Sequence, residues 1–340
     1  MAEIVNPRVL GLDIGGANLK AAHSDGTVLI QPYALWRQPE RLPGVLRELV
    51  QSLPPFDLLA VTMTAELCDC YPSKSAGVQA ILQAVEHSAG GRPVLVWTIK
   101  GNFLSLSSAR EKPLHAAAAN WLALATYAGR FAPDGAALLI DCGTTTTDII
   151  PMISGMPTPL GWADLDRLTY GELVYTGTER TPICAVLQKA VWRGREVRLA
   201  AELFATTLDA YLVLGAIAVE ESSRHTADGR ARTKACAHAR LARMVCADVE
   251  EFDWNDAVDL ARQVRSAQIA LLQDALRTVR FRLPSLPDAE VILLSGTGSF
   301  LSRAALDSDA TILPLSEKIH PDLADAAAAY AVAVLASEMV

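Results

Sequence analysis

Residues 138–150 read LLIDCGTTTTDII. An apolar run that should form a buried strand reaches Asp141, turns through Gly143, Thr144, Thr145 and Thr146, and becomes apolar again after Asp148. A strand that ends in Asp-x-Gly and turns through small residues lets its backbone N–H groups approach an anion closely, and hydroxyl side chains add donors. The aspartate at the entrance offers an oxygen ligand for Mg²⁺, which binds through one or two carboxylates plus phosphate oxygens. Taken alone, the stretch also suits a plain edge hairpin, because threonine favours strands.

The pattern occurs twice. VLGLDIGGANLKAA, residues 9–22, again runs apolar strand, Asp13, Gly15 and Gly16, then Asn18 and Lys20 in the return strand. A third glycine turn, Gly296-Thr297-Gly298, follows the apolar run AEVILLSG, residues 289–296. Three loops at strand ends can converge on one polyphosphate. The repeat of the first unit by the second points to a duplication.

Strand-like and helix-like segments alternate through the chain, which predicts an α/β protein with helices against sheets. Helical periodicity covers 39–53 and 75–91, an Ala-rich helix is expected over 113–131, and strands over 57–64 and 92–97. A first α/β domain over residues 1–135 and a second over 136–340 follow, the second carrying helical segments at 199–219, 233–247 and 254–282 and ending in an Ala-rich helix.

With 340 residues, 51% hydrophobic and 20% charged, the chain can bury a large core. A net charge of −8 argues against a broad nucleic-acid or anionic-membrane surface, both of which need clustered excess Lys and Arg. The start MAEIVNPRVLGLDIGG lacks a basic segment followed by an apolar one, and no apolar run reaches the ~20 residues of a membrane span, so a cytoplasmic protein is expected. Small molecules are its expected partners, and a homodimer stays open. The six cysteines and six histidines show no zinc-ligand spacing, and neither a nucleophile elbow nor a P-loop is present.

In order and spacing the three turns resemble those of the actin, sugar kinase and Hsp70 superfamily. That resemblance implies a duplicated, ribonuclease H-like two-domain fold with the ligand in the interdomain cleft. TMTAELCDCYPSKSAGV (62–78), AAANWLALA (117–125), GELVYTGTERTPICAV (171–186), AELFATTLDAYLVLG (201–215), TADGR (226–230) and RLARMVCAD (240–248) are similar to hydantoinase/oxoprolinase-related proteins of one-carbon metabolism, in particular to synthases of methanofuran biosynthesis. The implied reaction joins an aminomethyl-furanmethanol diphosphate to the phenol of γ-glutamyltyramine and releases diphosphate. The implied cofactor is Mg²⁺ on Asp13 and Asp141, and the ligand need not be ATP. An ATP-dependent kinase or amide hydrolase of the same fold is the alternative.

In that reaction Lys20 would pair with a phosphate, the threonines would donate to it, and Asn18, Asp148 and the glycine turn Gly296-Thr297-Gly298 would also line the ligand. A phenol of pKa about 10 needs a proton acceptor, for which Glu66 and Asp69 are the strand-end candidates; either could instead be a helix cap or a solvated charge. Lys74 and Arg180 suit an anion, with an exposed lysine and a surface ion pair as the plainer readings. Arg224, Arg230, Arg232, Lys234, Arg240 and Arg243 form a basic cluster that could receive the acceptor's carboxylates or simply be a solvated face.

Overall fold

The computed structural model describes residues 7–283, 291–306 and 310–339. The first part comprises β1 (Val9–Ile14), β2 (Asn18–His23), β3 (Val28–Pro32), α1 (Leu42–Gln51), β4 (Leu58–Met63), α2 (Lys74–Ala89), β5 (Val94–Trp97), β6 (Phe103–Ser105) and α3 (Asn120–Ala128). The second comprises β7 (Ala136–Cys142), β8 (Thr147–Ile153), β9 (Met156–Pro157), α4 (Asp164–Thr169) and β10 (Leu173–Val174), then the small hairpin β11 (Lys189–Trp192) and β12 (Arg195–Arg198). Helices α5 (Thr207–Leu214), α6 (Lys234–Arg243) and α7 (Trp254–Arg280) follow, then β13 (Val291–Ser295), α8 (Ser299–Ala305), β14 (Thr311–Pro314) and α9 (Ala327–Ser337). Of the run 289–296, Ala289 and Glu290 lie outside the described residues.

The two main sheets repeat one topology. In the first the order is β3-β2-β1-β4-β5-β6, with β1–β2 and β2–β3 antiparallel and β1–β4 and β4–β5 parallel. In the second, β9-β8-β7-β13-β14 has the same order and the same directions, with β10 also paired to β8. This is the duplicated ribonuclease H-like architecture of the actin, sugar kinase and Hsp70 superfamily. The parallel strands β1 and β4 are buried at every position, as strands covered on both faces must be. Each half has its own core, and one apolar cluster joins Val9, Leu58 and Ala60 of the first sheet to Leu139, Ile150 and Leu293 of the second.

Chain order does not fully describe the packing, because α9, last in the chain, packs on β1, β2, β4 and α3 of the first half. A boundary at 135/136 therefore leaves out a helix that completes the first half. Small residues permit this contact: a Cβ on Gly11 of β1 would stand 1.9 Å from the carbonyl oxygen of Ala329 in α9. Gly11→Ala should cost about 3 kcal/mol or more, since backbone has to move to admit the methyl group. Denaturant unfolding checks this, and an unchanged midpoint would contradict the packing.

Local chemistry trims several expected helices. The segment 199–219 is helical only over α5, because Thr206 and Asp209 form a reciprocal capping box that starts the helix late, and Gly215 ends it at φ 73°. The expected helix over 113–131 is broken: Ala118 adopts φ 46°, and α3 begins only at Asn120. That break lies beside the candidate site.

Candidate active site between the two hairpins

The Asp-x-Gly turns are built alike. In the first, the Gly15 N–H donates to the Asn18 carbonyl at 3.0 Å; in the second, the Gly143 N–H donates to the Thr146 carbonyl at 2.9 Å. Each bond links the second and fifth residues after the aspartate. The strand register repeats too, with Asp13 opposite Lys20 and Asp141 opposite Asp148.

The aspartates of the two turns also lie within electrostatic reach of one lysine. Asp13 and Asp141 are both desolvated, and burial pushes both carboxyls above the usual carboxylate range. The Lys20 ammonium is the next influence on each, drawing both back down, and the Asp13 charge raises Asp141 further. Asn120, at the start of α3, hydrogen-bonds toward Asp13, and Ser295, at the end of β13, toward Asp141. The Asp13 Oδ1 atom is buried without a hydrogen-bond donor. One lysine and two carboxylates, drawn from both sheets, thus share a single electrostatic neighbourhood.

The glycine turn after β13 packs on the second hairpin. The Gly298 N–H donates to the Cys142 carbonyl at 2.8 Å, and a Cβ on Gly296 would lie 2.3 Å from that carbonyl oxygen and 2.7 Å from Asp141 Oδ1. Thr297 is exposed. On the other side, Gly177 lies so close that its Cβ would stand 2.5 Å from the Thr145 nitrogen, while the Glu179 and Arg180 N–H groups donate to the Thr144 carbonyl. Thr144, Thr145 and Thr146 remain partly open.

Glu66 is fixed beside the first hairpin. The Thr64 and Ala65 N–H groups both donate to the Ile14 carbonyl, which holds the turn after β4 against the end of β1. Helix α2 approaches closely because residue 77 is glycine: a Cβ there would meet the Glu66 carbonyl oxygen at 2.3 Å. Glu66 is 1% exposed and its Oε2 has no hydrogen-bond donor. Burial raises its carboxyl to about 7; the Asp164 charge adds to the rise, while its own backbone N–H, Lys74 and the Ala118 N–H lower it. The break at Ala118 therefore points backbone at Glu66 just before Asn120 reaches Asp13.

Other candidates have different surroundings. Asp69 is exposed, so the residue three positions after Glu66 is a solvated charge rather than a second buried carboxyl. Lys74 is ion-paired to Asp164 of α4 at 2.8 Å, across the two halves. Asp148, expected on the ligand, is engaged by Arg167 at 2.9 Å, and that guanidinium also lies 4.0 Å above the Trp121 ring and donates to the Glu172 carbonyl. Burial raises Asp148 to about 6, with Arg167 as the main opposing influence. Arg167→Met should cost about 3–5 kcal/mol by leaving Asp148 buried and unpaired, and adding Asp148→Asn should recover most of it. Denaturant unfolding of the single and double variants checks this; a double variant no better than the single would contradict the pairing.

The basic cluster is largely neutralised internally. Arg240 is fully buried against Asp209 and Asp228, Arg230 and Arg243 also reach Asp228, and Arg232 pairs with Glu179. Arg180 instead lies 4.5 Å above the Trp36 ring. Asn120 and Ser295 were missed in the sequence, although Asn120 is the one polar residue in AAANWLALA before its tryptophan and Ser295 opens SGTGSF. Among the described residues no helix is long and apolar enough to cross a membrane.

Residues 57–338 match the hydantoinase/oxoprolinase family model. The chain is 34% identical over 330 residues to the (4-{4-[2-(gamma-L-glutamylamino)ethyl]phenoxymethyl}furan-2-yl)methanamine synthase of Methanocaldococcus jannaschii, covering 96% of this chain and 97% of that protein. A synthase of the same name from Methanococcus vannielii is 27% identical over 203 residues, 58% of this chain and 89% of that one. Among solved structures, an archaeal actin homologue in complex with ADP overlaps 97% of this chain and 99% of its own at 14% identity and a TM-score of 0.45. The chain belongs to the hydantoinase/oxoprolinase family.

Proposed function

We propose that the chain is a transferase that condenses an aminomethyl-furanmethanol diphosphate with the phenol of γ-glutamyltyramine. The furanylmethyl carbon–oxygen bond to diphosphate breaks, a bond from that carbon to the phenol oxygen forms, and the phenol proton leaves to a base. The synthases to which the chain is similar carry this phenoxymethyl-furan product in their names.

The observation that carries the reading is the meeting of Asp13, Asp141 and Lys20 between matched hairpins. Two desolvated carboxylates, one with an orphaned oxygen, fit a divalent cation such as Mg²⁺ better than they fit each other. When bound there, the ion would neutralise charge on the departing diphosphate. Lys20 supplies a point charge to the same group, and Thr144, Thr145 and Thr146, with Gly15, Gly16 and Gly143, offer close donors.

Glu66 is the base. A carboxyl poised at about 7 is half ionised near neutrality and accepts the phenol proton as the new bond forms. Its burial among Ala118, Lys74 and Asp164 keeps it out of bulk water and next to the first hairpin.

The deciding experiment incubates the purified protein and Mg²⁺ with the furan diphosphate and γ-glutamyltyramine while ATP hydrolysis is followed in parallel. Aryl ether and diphosphate should appear in equal amounts with no ATP consumed. ATP turnover without ether would select the kinase or amide-hydrolase chemistry of the same fold instead.

A further inference from the structure

Trp36 and Arg180, each on a loop bound to one of the two hairpins, lie one over the other. Trp36 sits on a short turn whose Leu35 N–H donates to the Gly16 carbonyl at 3.0 Å, so the indole is carried by the first hairpin. Arg180 is carried by the second, its own N–H donating to the Thr144 carbonyl at 2.9 Å. The guanidinium lies 4.5 Å above the indole ring and close enough to Cys68 to oppose in part the rise that burial gives its thiol, to about 11, while Cys68 Sγ abuts Gly16.

Arg180 also differs from the arginines around it. Arg167, Arg232 and Arg240 are each ion-paired to a carboxylate, whereas among the described residues Arg180 has no acidic partner, and it is exposed. A guanidinium stacked by its face keeps the N–H groups in its plane free, and that fork matches a carboxylate in two parallel hydrogen bonds. The diphosphate would find its countercharges deeper, at Lys20 and at a cation held by the Asp13–Asp141 pair. What is left for an outward-facing fork beside an indole wall is an anion on a long, partly apolar molecule.

We infer that Arg180, held over the Trp36 ring, receives the α-carboxylate of the acceptor's glutamyl group and thereby selects γ-glutamyltyramine over tyramine. This rests on the transferase reading above and adds the residue that discriminates between acceptors.

The test compares kcat/KM for γ-glutamyltyramine and for tyramine, with furan diphosphate and Mg²⁺, in the parent, Arg180→Met and Arg180→Lys. The parent should prefer the glutamylated acceptor. Arg180→Met should lower that preference about tenfold or more, and Arg180→Lys should recover only part of it, because a point charge lacks the fork. Both acceptors are turned over by the same sample, so a general loss of folded protein cancels in the ratio. An unchanged ratio, or a rise in KM confined to the furan diphosphate, would overturn the inference while leaving the transferase reading intact. No aryl ether from either acceptor in the parent would overturn both.

Discussion

Glu66→Gln is expected to lower kcat for ether formation by about 10²–10⁴-fold, the range that a positioned base contributes. The same substitution should make the folded chain more stable in mild alkali. Burial raises the Glu66 carboxyl from 4.5 to about 7, so the folded state holds that proton more tightly than the unfolded state does. The favourable contribution is whole below pH 4.5 and is lost as the pH rises through about 7. Above that, the chain bears an ionised buried carboxylate at a cost of about 3 kcal/mol. Glutamine removes the charge and with it the cost. The variant should therefore melt several degrees above the parent at pH 8 and close to it at pH 4. The parent's kcat/KM should rise with pH through about 7, since the ionised form is the acceptor, and Glu66→Gln should lose that limb. A variant that keeps its activity would remove Glu66 from the chemistry, and one destabilised at both pH values would contradict the cost of its burial.

Asp13→Asn and Asp141→Asn should each lower kcat/KM on the order of 10³-fold, the scale on which removing one preorganised charge-stabilising group acts. Neither should unfold the protein. Both carboxyls are raised by burial, so asparagine relieves a desolvation cost rather than breaking an ion pair. A melting experiment separates the two effects. In the parent, diphosphate and Mg²⁺ at a hundredfold excess over Kd should add about 2.7 kcal/mol of stability, and neither variant should show that gain. On the proposed shared ion, the double variant should be little worse than either single one. Strict additivity would place the aspartates in separate sites.

Much of this site was legible because duplication writes itself into spacing. Asp13, Gly15 and Asn18 stand at the same intervals as Asp141, Gly143 and Thr146, and those intervals become the same hydrogen bond in each turn. The third glycine turn was legible for a related reason, since an apolar strand ending in SGTGSF has few other ways to turn. What stayed hidden was non-local. The partners Asp148–Arg167 and Lys74–Asp164 lie in different elements, and no periodicity announces them.

The break at Ala118 was hidden for another reason. Alanine is the best helix former, so a run of four alanines before Asn120 reads as continuous helix. Tertiary packing overrides that preference and turns the backbone toward Glu66. Glu66 and Asp69 both follow the same strand, and only Glu66 lies where Gly77 lets a helix close over it. The placement of α9 on the first sheet had one trace in the sequence, the glycine at position 11 inside an otherwise bulky strand.

The most direct test of the central claim, that both hairpins hold one diphosphate through one divalent cation, is calorimetric titration of inorganic diphosphate with and without Mg²⁺. One diphosphate should bind per chain, only with Mg²⁺ present, and binding should vanish in both Asp13→Asn and Asp141→Asn. Binding that needs no metal, or that survives in either variant, would contradict it.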